Sequence, residues 1–136
     1  MTDQGPLILF VDDDAPSREV MKVILNRVMG YNRVELFEDS QNFMERLHAL
    51  PGAPDVIFLD IQVPPIDGYE MLKLIRSDLA YQKARIIAVT ASIMPSDVAL
   101  LQQAGFDGLI GKPLVHKIFP ELLHKILAGE PIWYIP

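Results

Sequence analysis

Val56-Ile57-Phe58-Leu59 is a short, unbroken apolar run that stops on a carboxylate, Asp60. Such a run reads as a strand buried on both faces, the signature of a parallel sheet covered by helices. The turn formers Pro64, Pro65, Asp67 and Gly68 follow it. Asp60 is therefore expected at the carboxyl end of a central strand, at the mouth of a loop. In open α/β sheets, ligands bind and chemistry takes place along that edge.

Other segments repeat the pattern. Leu7 to Val11 is apolar and ends on Asp12, Asp13 and Asp14. Arg85 to Thr90 ends on a hydroxyl, and Leu109-Ile110 runs into Gly111-Lys112-Pro113. Arg33 to Glu38 alternates, with Val34 and Leu36 against Arg33, Glu35 and Phe37, which suits a sheet edge with one face partly wet. Helical periodicity fills the intervals. Asp14 or Ala15 is expected near the cap of the first helix with Pro16 in its first turn, and Val20, Met21, Ile24, Leu25 and Val28 form its apolar face. Arg18, Lys22 and Arg27 lie largely off that face, and Gly30 supplies a stop. Asp39 or Ser40 is expected to cap a second helix, carrying Phe43, Met44, Leu47 and Leu50. A third follows Gly68, a fourth runs from Pro95 to Gly105, and a fifth spans residues 116–127. The β-α unit thus recurs five times with short connections, which predicts a parallel sheet with helices on both faces and right-handed crossovers.

With 136 residues, half of them hydrophobic, the chain is sized for one domain with a proper core. The predicted organisation is a single domain over 1–136, with a core at 7–127 and a short C-terminal tail at 128–136. A formal charge of −6 argues against a surface that tracks nucleic-acid phosphates, so no direct DNA binding is expected. The absence of cysteine excludes a disulfide framework and thiolate metal sites. No apolar run is long enough for a membrane span, and the first residues lack signal-peptide character. A soluble, cytoplasmic protein is the expectation.

In a parallel sheet all strand carboxyl ends share one edge, so Asp12, Asp13, Asp60, Thr90 and Lys112 can converge there. Three carboxylates close together repel and raise the pKa of at least one of them. A hard divalent cation with oxygen ligands removes that conflict, and Mg²⁺ suits a site of few carboxylates, several waters and a substrate phosphate. A carboxylate can attack phosphorus to give an aspartyl phosphate, while a metal and a lysine neutralise charge on the phosphoryl oxygens. A threonine hydroxyl can donate a hydrogen bond to the product.

From Leu7 to Leu127 these residues resemble the receiver domain of two-component response regulators. The resemblance is carried by Val11-Asp12-Asp13-Asp14, Leu59-Asp60 with Pro64 and Asp67-Gly68, Val89-Thr90-Ala91, and Lys112-Pro113. It implies a flavodoxin-like (βα)5 fold, a doubly wound five-stranded parallel sheet in the order 2-1-3-4-5. It implies that Asp60 is the phosphoacceptor and that Asp12 and Asp13 form the acidic pair of a Mg²⁺ site. In that site Asp13 would be the direct ligand, Asp12 would act through water, and Gln62 would offer its backbone carbonyl. Thr90 matches the switch hydroxyl, and Lys112 matches the lysine that reaches the phosphoryl group, with a cis peptide expected before Pro113. The implied function is that of a phosphorylation-activated response regulator, not an enzyme beyond slow self-dephosphorylation. A sensor histidine kinase or a phosphotransfer protein would load it. It would signal to an output protein by protein–protein contact, as a monomer or a phosphorylation-dependent dimer. Leu109 departs from the family, which often has Tyr or Phe there, and Leu114 stands where an aromatic often follows Lys-Pro. Both departures bear on signalling by an aromatic ring rather than on phosphorylation. The tail Trp133-Tyr134-Ile135 is expected beside that region.

Other readings differ in testable ways. A Mg²⁺-dependent phosphohydrolase with an Asp-x-Asp motif would continue differently after Asp14 than Ala15-Pro16 does, and it would need room for a cap domain. A flavodoxin would have a Ser/Thr/Gly-rich phosphate loop where this chain is acidic. An unphosphorylated receiver-like scaffold would not need the complete set of site residues.

Overall fold

A computed structural model describes residues 5–136. The strands are β1 (Ile8–Val11), β2 (Val34–Phe37), β3 (Val56–Asp60), β4 (Arg85–Thr90), β5 (Gly108–Gly111) and β6 (Ile132–Tyr134). The helices are α1 (Ala15–Val23), α2 (Phe43–His48), α3 (Gly68–Arg76), α4 (Pro95–Ala104) and α5 (Phe119–Leu127). The sheet is parallel throughout, in the order β2-β1-β3-β4-β5-β6.

The 2-1-3-4-5 order is as expected, but the sheet has six strands rather than five. The tail at 128–136 is therefore not merely a tail, because its residues 132–134 pair with β5. The four residues between Pro131 and Pro136 carry too little periodicity to announce a strand.

Side-chain alternation divides the core into two layers. Leu9, Ile57, Leu59, Ile86, Ala88 and Leu109 face α2, α3 and α4. Ile8, Phe10, Val56, Phe58, Val89 and Ile110 face α1 and α5. The central strands are fully buried, as their unbroken apolar sequences require.

Local chemistry sets the helix starts and ends. Asp14 caps α1 by accepting from the Ser17 N–H and Oγ–H at 3.0 and 2.7 Å, and Pro16 lies in the first turn. Beyond α1 the chain widens into a π-helical turn, Ile24–Val28, closed by the bond from Met29 N–H to the Ile24 carbonyl, and Gly30 then turns left-handed at φ +73°. The second helix departs from expectation. Neither Asp39 nor Ser40 caps it; Asn42, itself left-handed, precedes Phe43. Ser40 is committed elsewhere, as described below. The fifth helix begins at Phe119 rather than near His116. His48 pairs with Asp78 at 2.8 Å and stacks on Tyr81.

Candidate functional site

The carboxyl edge of the sheet gathers the expected residues. Asp12 follows β1, its N–H held by the Phe37 carbonyl of β2, and its side chain is fully buried. Oδ1 of Asp12 accepts from the Asp14 N–H at 2.9 Å. Oδ2 makes no directed hydrogen bond, although it lies 2.9 Å from Nζ of Lys112. Asp13 is exposed at the rim. Asp60 ends β3 and is 7% exposed. Its Oδ1 accepts from the Gln62 N–H at 3.2 Å and its Oδ2 from Lys112 Nζ at 3.1 Å. Carboxylate oxygens of Asp12, Asp13 and Asp60 all lie within 4.8 Å of one another.

Lys112 follows β5 and is joined to Pro113 by the expected cis peptide; Pro64-Pro65 is cis as well. The Lys112 N–H donates to the Thr90 carbonyl at 2.9 Å. Thr90 ends β4, buried, and its Oγ1 accepts from the Ser92 N–H at 3.1 Å. Gln62 contacts the site through its N–H, which donates to Asp60 Oδ1.

Three carboxylates face one ammonium here, and that imbalance shapes the electrostatics. Burial, reinforced by the Asp12 charge, pushes the Asp60 carboxyl up to about 6 against the opposing pull of Lys112. Burial works against the charged form of Lys112, but the Asp12 and Asp60 carboxylates outweigh it and hold the ammonium above its ordinary range. The convergence of three carboxylate oxygens fits a hard divalent cation bound through oxygen.

Several supporting residues explain why the site holds this shape. Asp67 caps α3 by accepting from the Glu70 N–H at 2.9 Å. Gly68 then packs directly beneath the site. A Cβ there would lie 2.9 Å from the Cα of Ile61 and 3.1 Å from the carbonyl oxygen of Asp60, so no larger residue fits without moving the backbone at Asp60 and Ile61. Two contributions were not apparent from sequence. Arg18, placed off the apolar face of its helix, reaches back and donates from Nη1 to the Asp12 carbonyl at 2.7 Å. Ser40 donates to the Ile66 carbonyl at 2.6 Å and accepts from the Ile66 N–H at 2.9 Å, which pins the loop beyond Asp60 to the end of β2. A basic residue on the turn after an acidic pair hints at the first. Nothing local signals the second, because its partners are 26 positions apart.

Comparison with known proteins agrees with this geometry. The model of the response regulator receiver domain matches residues 8–126. The osmosensing histidine protein kinase SLN1 of Saccharomyces cerevisiae is 34% identical over 125 residues, which is 90% of this chain and 10% of that protein. Stress response regulator protein 1 of Debaryomyces hansenii is 34% identical over 106 residues, 78% of this chain and 43% of that protein. The chain thus spans less than half the length of either relative. Among solved structures, the signal receiver domain of a signal transduction histidine kinase from Syntrophus aciditrophicus superposes with a TM-score of 0.78 at 26% identity, covering 92% of each chain. Receiver domains are phosphoacceptor signalling domains that bind Mg²⁺ at an acidic pocket and interact with histidine kinases or phosphotransfer proteins. Sequence, fold and site all lead to one conclusion: this chain belongs to the response regulator receiver domain family.

Proposed function

We propose that the chain is one receiver domain, spanning 1–136, that takes a phosphoryl group on Asp60 in a phosphorelay and passes the signal on by protein–protein contact. One observation carries this reading. Asp60 is a buried carboxylate with Lys112 Nζ at 3.1 Å, and it shares a 4.8 Å cluster with Asp12 and Asp13. Asp13 would hold Mg²⁺ directly, Asp12 through water, and Asp60 and the Gln62 carbonyl would complete the protein's share. When bound, the ion offsets negative charge on the phosphoryl oxygens.

An oxygen of ionised Asp60 attacks phosphorus. The new P–O bond forms as the bond from phosphorus to the donor's imidazole nitrogen breaks, and that electron pair stays with the nitrogen. Lys112, already hydrogen-bonded to Asp60, is positioned to neutralise the transferred group without reorganising. Thr90 stands on the neighbouring strand, one residue beyond the Asp60–Val89 pair, to donate its hydroxyl to the product. The nucleophile must be ionised, which burial and the Asp12 charge oppose and Lys112 favours. The partners would be a sensor histidine kinase or phosphotransfer protein upstream and an output protein downstream. Self-dephosphorylation would be slow, with no other enzymatic activity. The domain would work in the cytoplasm as a monomer or a phosphorylation-dependent dimer. Among the described residues no helix is long and apolar enough to cross a membrane.

Incubation with Mg²⁺ and a small acyl phosphate, followed by mass-spectrometric mapping, tests the reading. A single phosphoryl adduct on Asp60, absent from Asp60→Asn, is expected. Full labelling of that variant would overturn the assignment.

A further inference from the structure

β6 seals the outer edge of β5, and two glycines make this fit. Neither Gly108 nor Gly111 has a left-handed φ, so neither is required by its backbone conformation. What they provide is room. A Cβ on Gly108 would run into the carbonyl oxygen of Ile132. A Cβ on Gly111 would lie 2.8 Å from the Pro136 ring and 3.1 Å from Cγ2 of Ile93. Both ends of β5 are thus cut back where β6 lies against them. The register Gly108–Ile132, Leu109–Trp133 and Ile110–Tyr134 then sends Trp133 into the layer that contains Leu109 and Tyr134 into the opposite layer.

The junction at Gly111 is close to the proposed chemistry. Gly111 pairs with Thr90 across β4 and β5, and Lys112 is the next residue. Pro136 from beyond β6 and Ile93 from the loop after Thr90 both pack against the same face of Gly111. That loop is held by the bond from the Ser92 N–H to Thr90 Oγ1. It also borders a cavity of about 210 Å³ lined in part by Gln62, Tyr69, Thr90 and Ser92, so it has space to move inward. The strand order gives the direction of that movement: a displacement from β4 toward Asp60 on β3 leads away from β5 and β6.

We propose that β6 is a cover strand coupled to Asp60: modification of Asp60 draws the Thr90–Met94 loop inward, withdraws Ile93 from the junction at Gly111 where Pro136 also packs, and loosens β6 from β5. This rests on Asp60 being the phosphoacceptor. β6 is suited to the role, since it is three residues long, all of them partly exposed, and bounded by prolines that prevent its extension. Coupling between two sites is reciprocal. Whatever factor modification of Asp60 applies to β6 docking, loss of β6 docking must apply to ligand affinity at Asp60.

The test compares amide hydrogen exchange of residues 132–134 in the full chain with Mg²⁺ alone and with Mg²⁺ and beryllofluoride, a mimic of the phosphoryl group. Uptake at Asp60 is followed independently by fluorine NMR. Exchange in β6 should accelerate about five- to tenfold, within the range of ordinary allosteric coupling, while β1 and β3 stay protected. Gly108→Ala, whose Cβ displaces β6 by meeting the Ile132 carbonyl while its own φ stays in the ordinary range, should raise beryllofluoride affinity by the same factor and leave exchange at residues 132–134 fast in both conditions. Full uptake with unchanged β6 exchange in the wild type overturns the coupling, as does equal affinity in a folded Gly108→Ala protein. Failure of uptake at Asp60 instead overturns the phosphoacceptor reading, and the coupling with it. Should Gly108→Ala fail to fold, the wild-type comparison decides alone.

Discussion

Replacing Asp60 with Asn should stabilise the protein, and the structure indicates by how much and under which conditions. The Asp60 carboxyl has its pKa raised from 3.8 to about 6, chiefly by burial and then by Asp12. A carboxyl with a raised folded-state pKa contributes stability that is fully present below its unfolded pKa, near 4, and is lost as the pH rises through about 6. At pH 7 the wild type therefore carries the whole cost of the buried charge, on the order of 1–3 kcal/mol. Asn is nearly isosteric, keeps an acceptor for Lys112 and removes that charge. Asp12, 2.9 Å from Nζ, still neutralises the lysine. Urea denaturation in chelator at pH 7 should show Asp60→Asn more stable by about 1–3 kcal/mol, or a Tm higher by roughly 3–10 °C. The difference should shrink toward zero at pH 4, and it should narrow at pH 7 in saturating Mg²⁺, which binds the native wild type preferentially. A variant less stable than wild type at pH 7, with a deficit indifferent to pH and Mg²⁺, would refute the electrostatic account of the site.

Three further substitutions separate the roles of the neighbours. Asp13→Ala should leave stability unchanged, because this side chain is exposed, but should weaken Mg²⁺ binding about tenfold or more, measured by calorimetry. Lys112→Ala leaves Asp12 and Asp60 without their shared cation and should cost about 3 kcal/mol in urea denaturation without added metal; it should retain much of the labelling at Asp60 but lose the accompanying backbone amide shifts. Gly68→Ala forces the Ile61 and Asp60 backbone to give way, so labelling should slow at least about tenfold at saturating Mg²⁺ while the circular dichroism spectrum stays native.

The strand ends were legible from the chain itself. Asp12, Asp60, Thr90 and Lys112 each close an apolar run, and parallel pairing obliges such ends to share an edge, so their convergence needed only the β-α alternation. The alternation of Arg33–Glu38 marked β2 as an outer strand, and Pro16, Gly30 and Gly105 punctuated helices where expected, because capping and left-handed turns are decided within a few residues. What the chain alone left undecided depends on neighbours distant in sequence. Ser40 was read as a cap, yet its hydroxyl serves a loop 26 residues away. Arg18 was read as surface, yet it anchors the Asp12 carbonyl. Gly108 and Gly111 gain their meaning only from β6 and Pro136, which occupy the space a side chain would need. β6 itself has no local signal, for so short a segment between prolines becomes a strand only where another strand's edge, cleared of side chains, is there to receive it.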